Sequence, residues 1–537
     1  MTNINKKIYY NGKIFTSDPE NLFAEMMIIE GKKISWIGKE KNYGKKKYNT
    51  DKFKKIDLKG KCIIPGFIDS HMHAIYLARD ASKIACLPPN VNSIEELKER
   101  IKDKKKELNK GEWIEGWGYD EGKLKEGRSP NRYDLDEVAK DYPVIITRTC
   151  NHIAVVNSKA LEILGIDEST PEPGENQIDK DENGKLTGIF RENAMMFLNS
   201  RIPSNSLEED AEILANYGEK LFAHGITTIT DSMAKIKPVD YYKMYQKAIE
   251  KGLKQRAILY YKWDELKDNY FIEKTKKDLT SQVHIGGVKI LADGSVSGKT
   301  AWVKPSYLGE NDNFGLKTTS KKEILEAAEY AKKNDLQLVV HAMGEQAIDL
   351  IVNTFYKKED WLSDRPSVRV EHAAMPTKEA LRKAAKGNIA FVSQPIFMYA
   401  EIESYLNNLG KTRTKRNYPY KTILESGIKL AFSSDAPATA WADPVDPFTA
   451  LKSAVTRKAY DGTDTGQDEK IDLETAIRLY TKEGADITGI PRTGQLKKGY
   501  KADFIVLDKD IFEVEENKID EVNVEKTYMN GELVYKK

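Results

Sequence analysis

The sequence predicts an α/β fold: a (β/α)8 TIM-type barrel, a small β-sandwich domain built from both termini, and an insertion after the first barrel strand. Three observations predict it. Eight strand-like apolar runs alternate with helix-period segments through the middle of the chain. Both ends of the chain read as short alternating strands, and the interval between the first and second apolar runs is far longer than the rest. Alternating strands and helices indicate a parallel sheet, and eight such repeats are the number that closes this barrel.

The eight runs are "CIIPGFIDSHMH", "GITTITDSM", "QRAILYYKW", "IGGVKILADG", "LQLVVHAMG", "SVRVEHAAM", "NIAFVSQP" and "IKLAFSSDAP". Most are β-branched and continuously apolar, the pattern of strands buried on both faces. Among the helices between them, "TTSKKEILEAAEYAKKND" has Ser320 and Glu323 at the spacing of a capping box. "LEEDAEILANYGEKLFAHG" ends at Gly225, a helix-stop residue.

At the N-terminus, "KKIYYNGKIFT" and "AEMMIIEGKKISWIGKE" carry the turn signals NG and EGKK. "KADFIVLD" and "VEKTYMNGELVYKK" repeat the pattern at the C-terminus. Chain ends tend to lie close together, so these pieces are expected to share one sheet domain. The expected organisation is therefore sandwich over 1–64, first barrel strand and loop over 65–86, and an inserted subdomain over the barrel mouth at 87–203. The rest of the barrel follows over 204–485, and the sandwich is completed over 486–537. The insertion carries its own strand-like "DYPVIITRTC" and helical "NSKALEIL".

Bulk properties narrow the function. With 40% hydrophobic residues the 537-residue chain can form a large interior. Its 31% charged residues nearly cancel to +2, which argues against a dedicated nucleic-acid or membrane-surface protein. Lysine-rich "KEKNYGKKKYNTDKFKK" reads as a solvated loop. Three cysteines without metal-site spacing suit a reducing compartment. No secretory h-region and no apolar stretch of membrane-spanning length are found, so a cytoplasmic location is expected. A homodimer is compatible with this fold, although no segment marks an interface.

The chemistry lies at strand ends. Side chains two apart in a strand share a face, so His71 and His73 project together where barrel enzymes place their active sites. The fifth run ends with His341, the sixth with His372 and the eighth with Asp435. Each is a zinc-type ligand, and four strand ends agree. Lys289 lies inside the apolar fourth run, where a lone ammonium is costly to bury. An amine kept neutral by desolvation can condense with carbon dioxide to a carbamate, whose two oxygens can bridge two metal ions. His224 and His284 precede strand runs and need no function.

"PGFIDSHMH", "VKILADGS", "VVHAMGE", "RVEHA" and "SSDAP", in that order, resemble the amidohydrolase superfamily. "PVIITRTCNHIAVVNSKAL" and "GQLKKGYKADFIVLD" resemble more narrowly the branch containing N-substituted formamide deformylase and related metal-dependent hydrolases. The resemblance implies that His71, His73 and Asp435 bind the more buried metal. It also implies that His341 and His372 bind a second, bridged by Lys289 if carboxylated. One or two divalent ions, zinc by preference, are thus the expected cofactor. The branch often shows Gly-Asp after the fifth-strand histidine, where this chain has Gly344 and Glu345.

A divalent metal lowers the pKa of water from near 16 to about 7, and the hydroxide so formed can attack an amide carbonyl. Asp435 is placed to take the proton and pass it to the leaving nitrogen. The expected activity is hydrolysis of a C–N bond in an amide-like or N-substituted formamide-like small molecule. Trp117, in "EGWGYDEG", and His152, in "CNHIA", are candidate substrate contacts, with "RENA" (191–194), Trp302 and Trp441 behind them. A mononuclear deaminase of an amino-substituted ring is one alternative, but it commonly needs a glutamate where Gly344 stands. A non-catalytic ligand-binding or regulatory barrel is the other, and it has no need of the ligand set.

Overall fold

The computed structural model describes residues 6–43, 53–149, 153–172, 177–199, 201–202, 205–268, 270–439 and 441–537. The chain divides into two compact units: residues 1–74, 214–436 and 445–537 form one, and residues 75–213 with 437–444 form the other.

The first unit contains the barrel. Its strands are β1 (Phe67–Met72), β2 (Ile226–Ala234), β3 (Arg256–Lys262), β4 (Val283–Leu291), β5 (Gln337–Ala342), β6 (Val368–His372), β7 (Ala390–Ser393) and β8 (Leu430–Phe432). They lie side by side in sequence order, every adjacent pair parallel. Almost every strand residue is buried, as the continuous apolar runs require. Between β8 and β1 the barrel is joined by two backbone hydrogen bonds at the C-terminal end of β1 and just past β8. Asp435 N donates to His71 O (2.8 Å), and His73 N donates to Ala436 O (2.8 Å).

Helices α1 (Tyr241–Glu250), α2 (Lys321–Lys333), α3 (Glu345–Phe355) and α4 (Lys378–Lys386) connect successive strands. Ser320 caps α2 by accepting from Glu323 N (3.1 Å). The Glu323 carboxylate does not complete the capping box on Ser320; it accepts from Thr319 Oγ1 instead (2.8 Å). After β7 the chain enters α5 (Pro395–Ala400), whose six residues are all buried.

The sequence run "CIIPGFIDSHMH" is two strands, not one. Cys62–Pro65 pairs antiparallel with Phe504–Leu507 in a six-stranded sheet that joins both termini. β1 begins only at Phe67. The joint is Gly66, where a Cβ would lie 2.5 Å from Thr227 Cγ2; only glycine allows the backbone that close to β2. The six-stranded sheet and a four-stranded N-terminal sheet share a core that includes Tyr9, Met27, Ile63, Phe504 and Tyr528. Beneath the barrel, buried Arg256 at the start of β3 donates to Asp503 (2.7 Å) and Asn530 (2.8 Å), tying barrel to sandwich. His284 lies within β4 rather than before it, because pairing with β3 already begins at Val283.

The second unit has its own mixed six-stranded sheet. Val144–Arg148 and Ile153–Val156 are adjacent antiparallel strands in it. Ser158–Leu164 is a helix capped by Asn157 and ended by left-handed Gly165. Two apolar clusters, one around Leu97, Ile114 and Val144 and the other around Val156, Leu161 and Phe190, form its core. Among the described residues no helix is long and apolar enough to cross a membrane.

Candidate metal centre

Each candidate ligand is placed by the end of a barrel strand. His71 is the fifth residue of β1, and His73 follows the strand. Asp435 comes three residues after β8, and the two seam hydrogen bonds hold it against both histidines. Asp69 reinforces that seam from below, accepting from His71 N (3.3 Å) and Ser434 N (3.1 Å). Burial raises the Asp69 carboxyl to about 6. Asp435 has φ +54°, and His372 and Ala373 have φ +71° and +46°. Left-handed backbone at non-glycine residues is costly and concentrates where side chains must be aimed.

The aim is convergent. Asp435 Oδ1 lies 2.9 Å from His73 Nε2 and 3.3 Å from His71 Nε2. Yet this buried oxygen makes no aligned hydrogen bond among the described residues. The three donor atoms lie within 4.8 Å of one another, and the 2.9 and 3.3 Å separations from Asp435 Oδ1 are close to the roughly 3.3 Å between tetrahedral ligands with bonds of about 2 Å. Two imidazoles and a carboxylate are also a zinc-type donor set. The residues present therefore fit a divalent ion. Burial opposes ionisation of Asp435, but the neighbouring His71 and His73 outweigh it and hold the carboxyl well below its ordinary range.

Outer contacts orient the imidazoles of His71, His372 and His341. The His71 Nδ1 meets the Glu371 carboxylate, which can only accept, so Nδ1 carries a proton and Nε2 is the atom turned toward Asp435. His372 Nδ1 donates to Gln394 Oε1 (2.8 Å), whose amide nitrogen donates to Ser433 Oγ (2.9 Å). His341 Nε2 donates to the Gly294 carbonyl (3.0 Å). The lone pairs left are Nε2 of His372 and Nδ1 of His341, on rings whose centres are 4.4 Å apart. Burial, then the charge of Lys289, pushes His341 down to about 4. Burial and the neighbouring His341 hold His372 well below its ordinary value. Both are therefore neutral at pH 7, the form that can bind a metal.

Lys289, on β4, is 2% exposed. Burial lowers its amine to about 8 even though Glu371 and Asp435 favour the charged form. Glu345 is engaged elsewhere: it accepts from Lys304 N (3.1 Å) and from Arg413 (3.3 Å). Trp302 donates its backbone N–H to Asp293 (2.9 Å), and its ring lies under the Lys317 ammonium. Trp117 is a half-buried residue of the strand Ile114–Tyr119 in the second unit. His152 lies outside the described residues.

Four supporting residues were not anticipated: Asp69, Asp293, Glu371 and Gln394. Asp293 accepts from Met343 N (3.0 Å), Gly344 N (2.8 Å) and Trp302 N, and burial raises it to about 7. It thereby holds the loops after β4 and β5 around His341, whose Nε2 is 3.5 Å away. The sequence did carry a signal for Glu371. "RVEH" puts two charges, two residues apart, inside an otherwise apolar strand, and such charges need partners in the barrel interior.

Comparison with known proteins identifies the family. The Bacillus subtilis (strain 168) protein YtcJ is 29% identical over 543 aligned residues, covering 99% of this chain and 100% of that protein. The N-substituted formamide deformylase of Arthrobacter pascens is 25% identical, covering 100% and 99%. The crystal structure of an uncharacterized metal-dependent hydrolase from Pyrococcus horikoshii superposes with a TM-score of 0.75 at 27% identity, covering 95% of this chain and 99% of that one. A sequence profile of the amidohydrolase family matches residues 54–535. The chain belongs to the amidohydrolase family, metal-dependent hydrolases acting on C–N bonds.

Proposed function

We propose that this protein hydrolyses the C–N bond of a small amide, an N-substituted formamide being the first class to test. One observation carries the reading: His71, His73 and Asp435 aim three donor atoms at one point, with His341, His372 and Lys289 on neighbouring strand ends. The likeness to the Arthrobacter pascens deformylase, which spans both chains, supports the choice of substrate class.

His71, His73 and Asp435 would hold one divalent ion, zinc by preference. His341 and His372 would hold a second, with Lys289 between the two. Such ions supply Lewis-acid polarisation and lower the pKa of water. Asp435 turns Oδ1 to the two histidines, leaving Oδ2 to accept the water proton and return it to the departing nitrogen. Lys289 Nζ, whose burial raises its share of neutral amine, adds in that form to carbon dioxide: the N–C bond forms as one C=O π pair moves onto oxygen, and one N–H proton leaves, giving an anionic carbamate. Trp117 and His152 are the proposed substrate contacts. A cytoplasmic location and a homodimer complete the reading.

The test is metal content and activity on protein purified without chelators. Bound zinc, and turnover of N-substituted formamides that stops on chelation and returns with zinc, would support it. Metal-replete protein inactive on amides and formamides but active on amino-substituted rings would move the assignment to deamination. A protein that takes up no metal would sink it.

A further inference from the structure

Beneath the candidate metal centre, the barrel interior contains a buried chain of charges. His71 Nδ1 meets Glu371, and Glu371 Oε1 lies 2.7 Å from Arg369 Nε. Arg369 Nη2 donates to the Ser70 carbonyl (2.9 Å), and the guanidinium lies over the Tyr260 ring at 4.5 Å. Tyr260 in turn donates to Gln337 (2.8 Å), whose amide nitrogen donates to the carbonyls of Pro366 and Ile487. Arg369 and Glu371 are both fully buried. Burying an ion pair rarely adds stability over an apolar pair of similar size, so a stabilising role alone explains it poorly.

The three outer contacts of the imidazoles differ in kind. His341 is oriented by a neutral carbonyl and His372 by a neutral amide, whereas His71 is oriented by an ionised carboxylate. A carboxylate behind an imidazole fixes its tautomer and makes it a stronger metal donor. Arg369, anchored to β1 through Ser70, keeps that carboxylate in place. We infer that Glu371, held by Arg369, is a positioning residue that fixes His71 as its Nδ1–H tautomer and makes the His71–His73–Asp435 position the first and tighter of the two to fill. This inference rests on the metal-binding reading above and concerns the order and strength of loading.

The test compares full-length wild type with Glu371→Gln, which keeps an acceptor oxygen but loses the charge. Metal-free protein is titrated with Zn2+ against a chromophoric chelator, and with Co2+ followed by its visible spectrum. The expected result is a first equivalent bound roughly 10- to 100-fold more weakly in Glu371→Gln, with a displaced cobalt band and an unchanged second equivalent. Equal affinity and an identical cobalt spectrum for the first equivalent would overturn the inference while leaving the proposed function intact. Absence of metal uptake by wild type would overturn both. If the variant does not fold, 15N-histidine labelling of metal-free wild type decides: His71 protonated at Nδ1 supports the inference, and His71 protonated at Nε2 overturns it.

Discussion

His73 Nε2 and Asp435 Oδ1 lie 2.9 Å apart, although one residue follows the first barrel strand and the other follows the last. The contact exists because the backbone seals the seam at the same level, through Asp435 N to His71 O and His73 N to Ala436 O. The seam that closes the barrel thus also brings the candidate metal donors together.

Replacing Asp435 with asparagine should separate proton transfer from metal binding. The amide oxygen can still face the histidines, but the side chain can no longer carry a proton. We expect kcat to fall by roughly 100- to 10,000-fold while metal content stays near that of wild type. Full activity with metal bound would remove Asp435 from the proton path.

Lys289→Met should abolish carbamate formation and strip the second position of its anionic ligand. Metal content should fall from about two ions per chain to about one, with a large loss of kcat. In wild type, 13C-labelled bicarbonate should give a carbamate resonance that the variant lacks. Unchanged metal content would mean that the amine has no part in the centre.

Gly66→Ala tests the joint between sandwich and barrel. The new Cβ would meet Thr227 Cγ2 at 2.5 Å and Oγ1 at 2.7 Å, so β1 or β2 must shift. Overpacking of this kind costs about 1–3 kcal/mol, which should lower the thermal midpoint. Alanine at Gly60, where nothing lies within 4 Å but φ is +80°, controls for backbone strain without crowding. A midpoint for Gly66→Ala as high as wild type would show that the strands yield freely.

His284 predicts a pH dependence of stability. It is 1% exposed, neither ring nitrogen has an aligned hydrogen-bond partner among the described residues, and burial, then Arg365, lowers it to about 4 from 6.5. The unfolded chain therefore binds a proton at this site between pH 6.5 and 4 where the folded chain does not. Stability from this group is intact above pH 6.5 and falls as pH drops toward 4, by about 1.4 kcal/mol per unit at most. His284→Leu should resist acid better than wild type relative to their difference at pH 7, as read from thermal midpoints at pH 7 and 4.5. Parallel shifts in the two proteins would assign acid sensitivity elsewhere.

The fold was legible because its signals are local. Eight β-branched runs separated by capped helices announce a parallel barrel, and strand-like ends announce a sheet shared by both termini. His71, His73, His341, His372 and Asp435 were legible because each terminates a strand run, and barrels gather strand ends on one face. The break at Gly66 was not, since an apolar run looks the same whether it is one strand or two. The reason for that glycine is the nearness of Thr227, more than 150 residues later.

The sequence by itself determined the architecture, the candidate ligand types and the strand ends that present them, because periodicity and residue chemistry are written along the chain. Only the tertiary structure decided which carboxylate stands behind which imidazole. Glu371 and His71 are 300 residues apart, as distant along the chain as His71 and Asp435 are close in space. The tautomers of His71, His341 and His372 follow from those contacts and from no local pattern. Hydrogen bonds of that kind form only when the barrel closes and excludes the water that would otherwise satisfy them.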